Sequence, residues 1–165
     1  MQSAYRAHHS TETAVLKVIG DILLSLDSDN LALLSLLDLS AAFDTVDHDT
    51  LLRRLQTSYG FDGVIKWFAS YLSGQTQHVR APTTTSLPSP VAYGVPQGSV
   101  LGPILFLLYV ADLLKLIKRH QLSPHAYADD TQIYSFCQPS DVNGLVERMS
   151  ACFDEVSSWM RANRL

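Results

Sequence analysis

The stretch Ala126-Tyr127-Ala128-Asp129-Asp130-Thr131-Gln132-Ile133-Tyr134 sets two adjacent carboxylates between short runs of aromatic and apolar side chains. Such flanks suit two short strands, and Asp favours the tight turn that would join them. The stretch therefore predicts a β-hairpin with Asp129 and Asp130 at its turn. Burying adjacent charges is costly unless something cationic neutralises them. A divalent cation held by hard oxygen ligands explains the pair. Taken alone, a solvated Asp-Asp turn is the simpler explanation, so the remainder of the chain must decide.

A second anomaly lies upstream. Residues 31–39 read Leu-Ala-Leu-Leu-Ser-Leu-Leu-Asp-Leu. Leu and Ala favour helix, but the run is short, almost unbroken and preceded by the turn Asp27-Ser28-Asp29-Asn30. It predicts a central strand buried on both faces, ending in a charge, Asp38. Capping of a following helix is the plain structural role for that residue. A third feature, Pro96-Gln97-Gly98-Ser99, reads as a tight turn out of a strand at residues 91–95 and into a helix from Ser99 to about Lys118. Such a turn exposes backbone near a helix N-terminus, a place that favours phosphate.

The remaining pattern is mostly helical. Ser10-Thr11-Glu12-Thr13 supplies cap residues for a helix whose apolar face comprises Val15, Val18, Ile19, Ile22, Leu23 and Leu26. Residues 40–48 read as a loop or short turn of helix. Asp49-Thr50 can cap a helix ended by Gly60, and residues 62–72 predict another. Residues 75–80 suit an edge strand before the Pro- and Thr-rich stretch 81–90. Gln138-Pro139-Ser140-Asp141 starts a last helix, with Val142, Leu145, Val146, Met149, Cys152, Phe153, Val156, Trp159 and Met160 on its buried face. Residues 1–10 are polar, and His8 and His9 read as surface residues. The order predicts an α+β domain, an antiparallel sheet covered by helices on one face.

Composition narrows the function classes. The 165 residues are 47% hydrophobic and 17% charged, which fits one packed domain and excludes disorder. The net charge of −4 argues against a free-standing nucleic-acid binder. Cys137 and Cys152 form neither a disulfide framework nor a metal-ligand spacing and suit a reducing compartment. The start is too polar for a signal peptide, and the longest apolar run, residues 100–111, is too short to span a bilayer. Neighbouring strands can set Asp38 beside Asp129 and Asp130. Carboxylates gathered at a sheet edge suit Mg²⁺, and two ions about 3.5–4 Å apart clamp an in-line phosphoryl transfer.

Three motifs now agree in order and spacing. Leu37-Asp38-Leu39-Ser40-Ala41-Ala42-Phe43-Asp44-Thr45-Val46-Asp47-His48 resembles the first catalytic motif of reverse transcriptases of non-long-terminal-repeat retrotransposons, of the jockey and chicken-repeat kind. Tyr93-Gly94-Val95-Pro96-Gln97-Gly98-Ser99-Val100-Leu101-Gly102-Pro103 resembles the second, and Tyr127-Ala128-Asp129-Asp130 the third. The resemblance implies a polymerase palm with part of the fingers, spanning residues 1–165 as a single partial domain. It implies template-directed DNA synthesis: a primer 3′-hydroxyl attacks the α-phosphate of a deoxynucleoside triphosphate on an RNA template. Asp38 and Asp129 would hold two Mg²⁺ ions, with Mn²⁺ as a substitute, and Asp130 would support them less directly. Leu39 would offer its backbone carbonyl to a metal. Phe43 would set its ring against the sugar, rejecting a ribose 2′-OH by clash; packing in the core is its plain alternative. Gln97 and Gly98 would line the nucleotide and template base. Tyr127 would lie near the primer end, with strand packing as its alternative.

The chain departs from the family in one turn, with Arg6-Ala7-His8-His9-Ser10-Thr11 where Arg-Pro-Gly usually precedes Ser-Thr. The resemblance also leads one to expect upstream fingers, a thumb and an endonuclease outside these residues, no membrane segment, and an intracellular place of action, nucleus or cytoplasm. Two other functions remain open here. One is a catalytically inactive remnant or protein-binding module derived from a palm. The other is a palm-type polymerase or cyclase of another kind, against which the Pro-Gln-Gly turn and the length of the match argue.

Overall fold

A computed structural model describes residues 1–39 and 41–165; Ser40, read above as part of the first motif, lies outside the described residues. The chain divides into two compact units, Met1–Ser40 with Val110–Ala162, and Ala41–Tyr109 with Asn163–Leu165.

The first unit is built on three antiparallel strands. They are β1 (Leu31–Leu37), β4 (Ser123–Tyr127) and β5 (Asp130–Cys137), in the order β1-β5-β4. The leucine-rich run is a strand despite its helical propensity. It is preceded by a tight turn in which Asp29 takes φ 57°, and it pairs along its whole length with β5, from Leu31↔Cys137 to Leu37↔Thr131. β5 carries the β-branched and aromatic residues Thr131, Ile133, Tyr134 and Phe136, so pairing and packing outweigh local propensity. The expected central position is corrected. β5 is the central strand and β1 is an edge, with Leu34 and Leu36 exposed.

Alternation along β5 assigns its two faces. Ile133 and Cys137 point into a core with Leu113, Leu116 and Ile117 of α4 (Leu101–Arg119) and Leu145, Met149, Cys152 and Val156 of α5 (Val142–Ala162); Leu33 and Leu37 of β1 pack against it. Each fully buried aliphatic side chain contributes about 1.5–3 kcal/mol. Tyr134 faces the other way, and its hydroxyl donates to Asp21 at 2.6 Å from helix α1 (Thr11–Leu26). Helices thus cover the core face as expected, and α1 lies over the second face as well. Ser10 and Thr13 close a capping box on α1. Its buried residues are Ala14, Val18 and Ser25, whereas Val15, Ile19, Leu23 and Leu26 of the expected apolar face are exposed. In α5, which follows a 3-10 turn at Pro139–Asp141, Val146 is likewise exposed. The segment before α1 is not loose surface. Ser3 N donates to Ala126 O at 2.9 Å and Ala126 N to Met1 O at 2.7 Å, joining it to β4.

The second unit holds α2 (His48–Tyr59), α3 (Ile65–Leu72) and a short hairpin, β2 (Thr76–Gln77) with β3 (Ser89–Pro90). Asp47, not Asp49 or Thr50, caps α2: its Oδ1 accepts from Thr50 N at 2.9 Å, and its Oδ2 from Arg164 at 2.7 Å. The strand expected at residues 75–80 shortens to two residues plus an Arg80–Thr85 bridge, and residues 91–95 are not a strand. The strand at 91–95 is replaced by a strapped turn, described below. Leu51, Leu55, Leu72, Leu105, Phe106 and Tyr109 form the buried interior, and the Tyr109 hydroxyl donates to Asn163 O at 2.5 Å.

Candidate active site

The hairpin of β4 and β5 places the acidic pair. Tyr127 pairs with Asp130, so the turn consists of Ala128 and Asp129, and Asp130 is the first residue of β5. This corrects the expectation that both acids occupy the turn. Ala128 takes φ 55°, the left-handed region. Asp38 lies one residue beyond β1. Extending the register past Leu37↔Thr131 sets Asp38 opposite Asp130, and residues so placed face the same side of a sheet at about 4.5–5.5 Å. Asp38 and Asp130 are exposed and Asp129 is half-buried.

Asp130 senses the other two carboxylates. The carboxyl of Asp130 is held above the usual aspartate range, first by partial burial, then by the negative charges of Asp129 and Asp38. Carboxylate oxygens short of positive charge have the donor chemistry that suits a magnesium-type ion. Among the described residues no three carboxylate, imidazole or thiol side chains converge into a finished ligand cage. Leu39 is buried, and Tyr127 ends β4 half-buried. A small cavity of about 80 Å³ between α1 and the sheet is lined by Thr11, Ala14, His125, Tyr127, Asp130 and Gln132. His125 is buried and shares a 2.7 Å hydrogen bond with Ser3 Oγ. Burial, then the N-terminal ammonium and Lys17, hold its imidazole below the ordinary histidine value, although Asp21 opposes this. Tyr5 stands close enough for Asp129 to affect it: burial first, then Asp129 and Tyr127, push its phenol up.

The second unit carries Phe43, Gln97 and Gly98. The Phe43 ring stacks on Phe106 with centroids 4.4 Å apart and planes tilted by 33°. Residues 43–48 are strapped to the turn at 94–97 by four hydrogen bonds. Gly94 N donates to Val46 O at 2.8 Å and Val95 N to Phe43 O at 2.8 Å. His48 Nε2 donates to Gly94 O at 2.7 Å, and Gln97 Nε2 to Asp44 Oδ1 at 2.6 Å. Gly94 has φ +89°, and a Cβ there would meet Asp44 Cα at 2.9 Å and Phe43 O at 3.0 Å, so the close approach requires glycine. Ser99 behaves as the expected cap, with its Oγ accepting from Gly102 N at 2.9 Å and donating to Pro96 O at 2.6 Å. Gly98 is exposed beside this turn. Asp44, His48, Tyr93, Gly94 and Gln97 border a cavity of about 520 Å³.

Sequence reasoning set Asp38, Asp129, Asp130 and Tyr127 on neighbouring strands, and Gln97 and Gly98 in a turn before a helix; that residues 43–48 are strapped to this turn is seen only in the structure. It missed Gln2, Ser3, Tyr5, Asp44, His48 and His125. The sole signal for Asp44 and His48 was their place inside the first motif.

The fold and these motifs are those of a polymerase palm, and the chain is matched over residues 1–165 by the family described as reverse transcriptase (RNA-dependent DNA polymerase). It belongs to that family. It is 32% identical over 168 aligned residues to the probable RNA-directed DNA polymerase from transposon BS of Drosophila melanogaster, covering 96% of this chain and 18% of that protein. It is 34% identical over 152 residues to the probable RNA-directed DNA polymerase from transposon X-element of the same fly, covering 87% of this chain and 16% of that protein. The chain thus spans less than a fifth of the length of the relatives it matches. A solved structure, the partial Cas6-RT-Cas1--Cas2 complex, aligns over 98% of this chain and 27% of that one, at 21% identity and a TM-score of 0.36.

Proposed function

We propose that this chain is the palm, with part of the fingers, of an RNA-directed DNA polymerase acting in retrotransposition, inside the cell. It would extend a DNA primer with deoxynucleoside triphosphates on an RNA template. The observation that carries the reading is the register of β1 on β5, which sets Asp38 opposite Asp130 with Asp129 in the adjoining turn. Asp38 and Asp129 hold two Mg²⁺ ions, for which Mn²⁺ substitutes, and Asp130 contributes charge beside them. Bound there, the ions supply charge stabilisation for in-line displacement at a phosphate. The rest of the work belongs to the chain. Leu39 presents its carbonyl, and Tyr127 packs near the primer end. Phe43, braced by Phe106, sets a wall against the nucleotide sugar. Gln97, tied to Asp44, and Gly98 face the nucleotide and template base. Base pairing to the template supplies sequence choice, so few basic residues are needed.

Two measurements test the reading. Calorimetric titration with Mn²⁺ or Mg²⁺ shows saturable binding that Asp129→Asn weakens; no metal-dependent heat in the unaltered protein would refute the metal site. Primer extension on an RNA template, with Asp129→Asn as the blank, then separates a polymerase from a catalytically silent palm. Incorporation of deoxynucleotides sustains the polymerase reading. Metal binding without incorporation assigns the chain to the silent class.

A further inference from the structure

The hairpin turn that carries Asp129 has a second set of supports, contributed from the other end of the sequence. Gln2 lies alongside β4, in a parallel bridge to Ala126. Its carboxamide meets the backbone of Ala128 on both sides: Ala128 N donates to Gln2 Oε1 at 3.2 Å, and Gln2 Nε2 donates to Ala128 O at 3.2 Å. The same Oε1 accepts from Ala4 N at 2.9 Å, which fixes the carboxamide from behind. The segment itself is anchored by Ser3 N on Ala126 O at 2.9 Å and by the buried Ser3 Oγ–His125 hydrogen bond.

Ala128 is the residue that needs such support. Two-residue hairpin turns with positive φ at their first central residue ordinarily use glycine there. Ala128 takes φ 55° with a Cβ in place, a conformation disfavoured for any residue with a side chain. A non-glycine residue stays in that region when its surroundings over-determine it, and the paired carboxamide, which copies the hydrogen bonding of a neighbouring strand, does so here.

We propose that Gln2 is a positioning residue that fixes the Ala128–Asp129 turn, and with it the direction in which the Asp129 carboxylate is presented. Its geometry stands alone; its importance for metal binding rests on the polymerase reading above. Gln2 touches neither the carboxylates nor a substrate, and it acts through the backbone of Ala128.

The test is amide hydrogen exchange by NMR on the whole 165-residue chain, paired with Mn²⁺ titration. In Gln2→Ala, exchange at Ala128, Asp129 and Asp130 accelerates about tenfold, the scale of one or two lost hydrogen bonds, while Ile133 at the sheet centre keeps its rate. Mn²⁺ affinity falls by roughly three- to tenfold, in line with loss of a supporting contact. Gln2→Met keeps the side-chain length and loses both hydrogen bonds to Ala128 without adding charge, so it is expected to behave as Gln2→Ala and carries the comparison if Gln2→Ala does not fold. Unchanged exchange at Ala128 in the variants overturns the proposal. So does acceleration that is equal at Ile133, which would mean general loosening, and so does altered exchange with unaltered Mn²⁺ affinity. Absence of Mn²⁺ binding in the unaltered protein would instead overturn the polymerase reading, and the exchange rates would still decide whether Gln2 holds the turn.

Discussion

Gly94 and Gly98 form a natural pair of probes. Both take positive φ, +89° and +77°, so alanine at either carries the conformational penalty of about 1–2 kcal/mol for a residue with a Cβ. They differ in surroundings. A Cβ at Gly98 meets nothing within 4 Å, whereas one at Gly94 meets backbone atoms of Asp44 at 2.9–3.0 Å. Backbone cannot swing aside as a flexible side chain does. Gly94→Ala must therefore shift the strap between residues 43–46 and 94–95, at a further cost of about 1–3 kcal/mol for overpacking. Gly98→Ala is expected to lose about 1–2 kcal/mol and Gly94→Ala about 2–5 kcal/mol. For a chain of this size the gap corresponds to roughly 2–12 °C in melting temperature. Urea denaturation and scanning calorimetry on the two variants and the parent measure it. Equal losses at the two positions would refute the reasoning, because they would leave backbone conformation as the whole effect and remove the close approach as a constraint.

Three further outcomes follow from the charges and thiols. Asp47 is buried, which opposes ionisation, but the Thr50 hydrogen bonds and the charges of Arg164 and His48 outweigh this and hold its carboxyl below the ordinary 3.8. Its contribution is complete above that value and disappears as pH falls through the depressed one. Asp47→Ala therefore costs about 1–2 kcal/mol at neutral pH in chemical denaturation, typical for a lost helix cap, and the gap to the parent narrows in acid; a gap that does not narrow as pH falls below 3.8 would contradict this. Asp130 has the opposite sign: its carboxyl lies above 3.8, so the stability of its protonated form is complete below that value and is lost as pH rises through the raised one. Asp130→Asn should match the parent in acid and exceed it at neutral pH by no more than about 0.5 kcal/mol, the range of a surface change; a less stable variant at neutral pH would refute the like-charge account. Burial and then Glu155 push the Cys152 thiol up to about 11, and Cys137 is also buried and free. A thiol-reactive disulfide reagent at pH 8 should leave both untouched in the native protein and label both in denaturant, as mass spectrometry will read.

Much of the fold was legible because its signals were local and redundant. The hairpin around Asp129 announced itself by β-forming residues on both sides of an Asp-Asp pair, and α1 by the cap-type residues Ser10 to Thr13, of which Ser10 and Thr13 close a capping box. What failed to show was anything set by partners distant in sequence. The apolar run of β1 implied burial on both faces, yet only β5 decides which strand is central, and Leu34 and Leu36 remain exposed on the edge. Periodicity on α1 could not distinguish Ala14, Val18 and Ser25, which meet the sheet side, from the larger exposed residues beside them. The same limit hid Gln2. A glutamine in a polar run has no local mark that its carboxamide will meet the backbone of Ala128, far along the chain. The candidate carboxylates were readable because the first and third motifs bear them; the Gln2 strap on the Ala128–Asp129 turn and the Gln97–Asp44 strap on the second motif's turn were not.

The edge position of β1 has a consequence for how the core governs the chemistry. Asp38 is placed by a single ladder, that of β1 on β5, with no strand on its other side among the described residues. A slip of one residue along such a ladder turns every side chain to the opposite face. It would turn Asp38 from the α1 side to the side covered by α4 and α5, and expel Leu33 and Leu37 from the cluster around Ile133. The two leucines thus act as keys in a lock: seated, they commit the carboxylate to face Asp130. Changes to these apolar residues can silence the acidic site while the protein stays folded, and interior packing becomes an address for a charge on the surface.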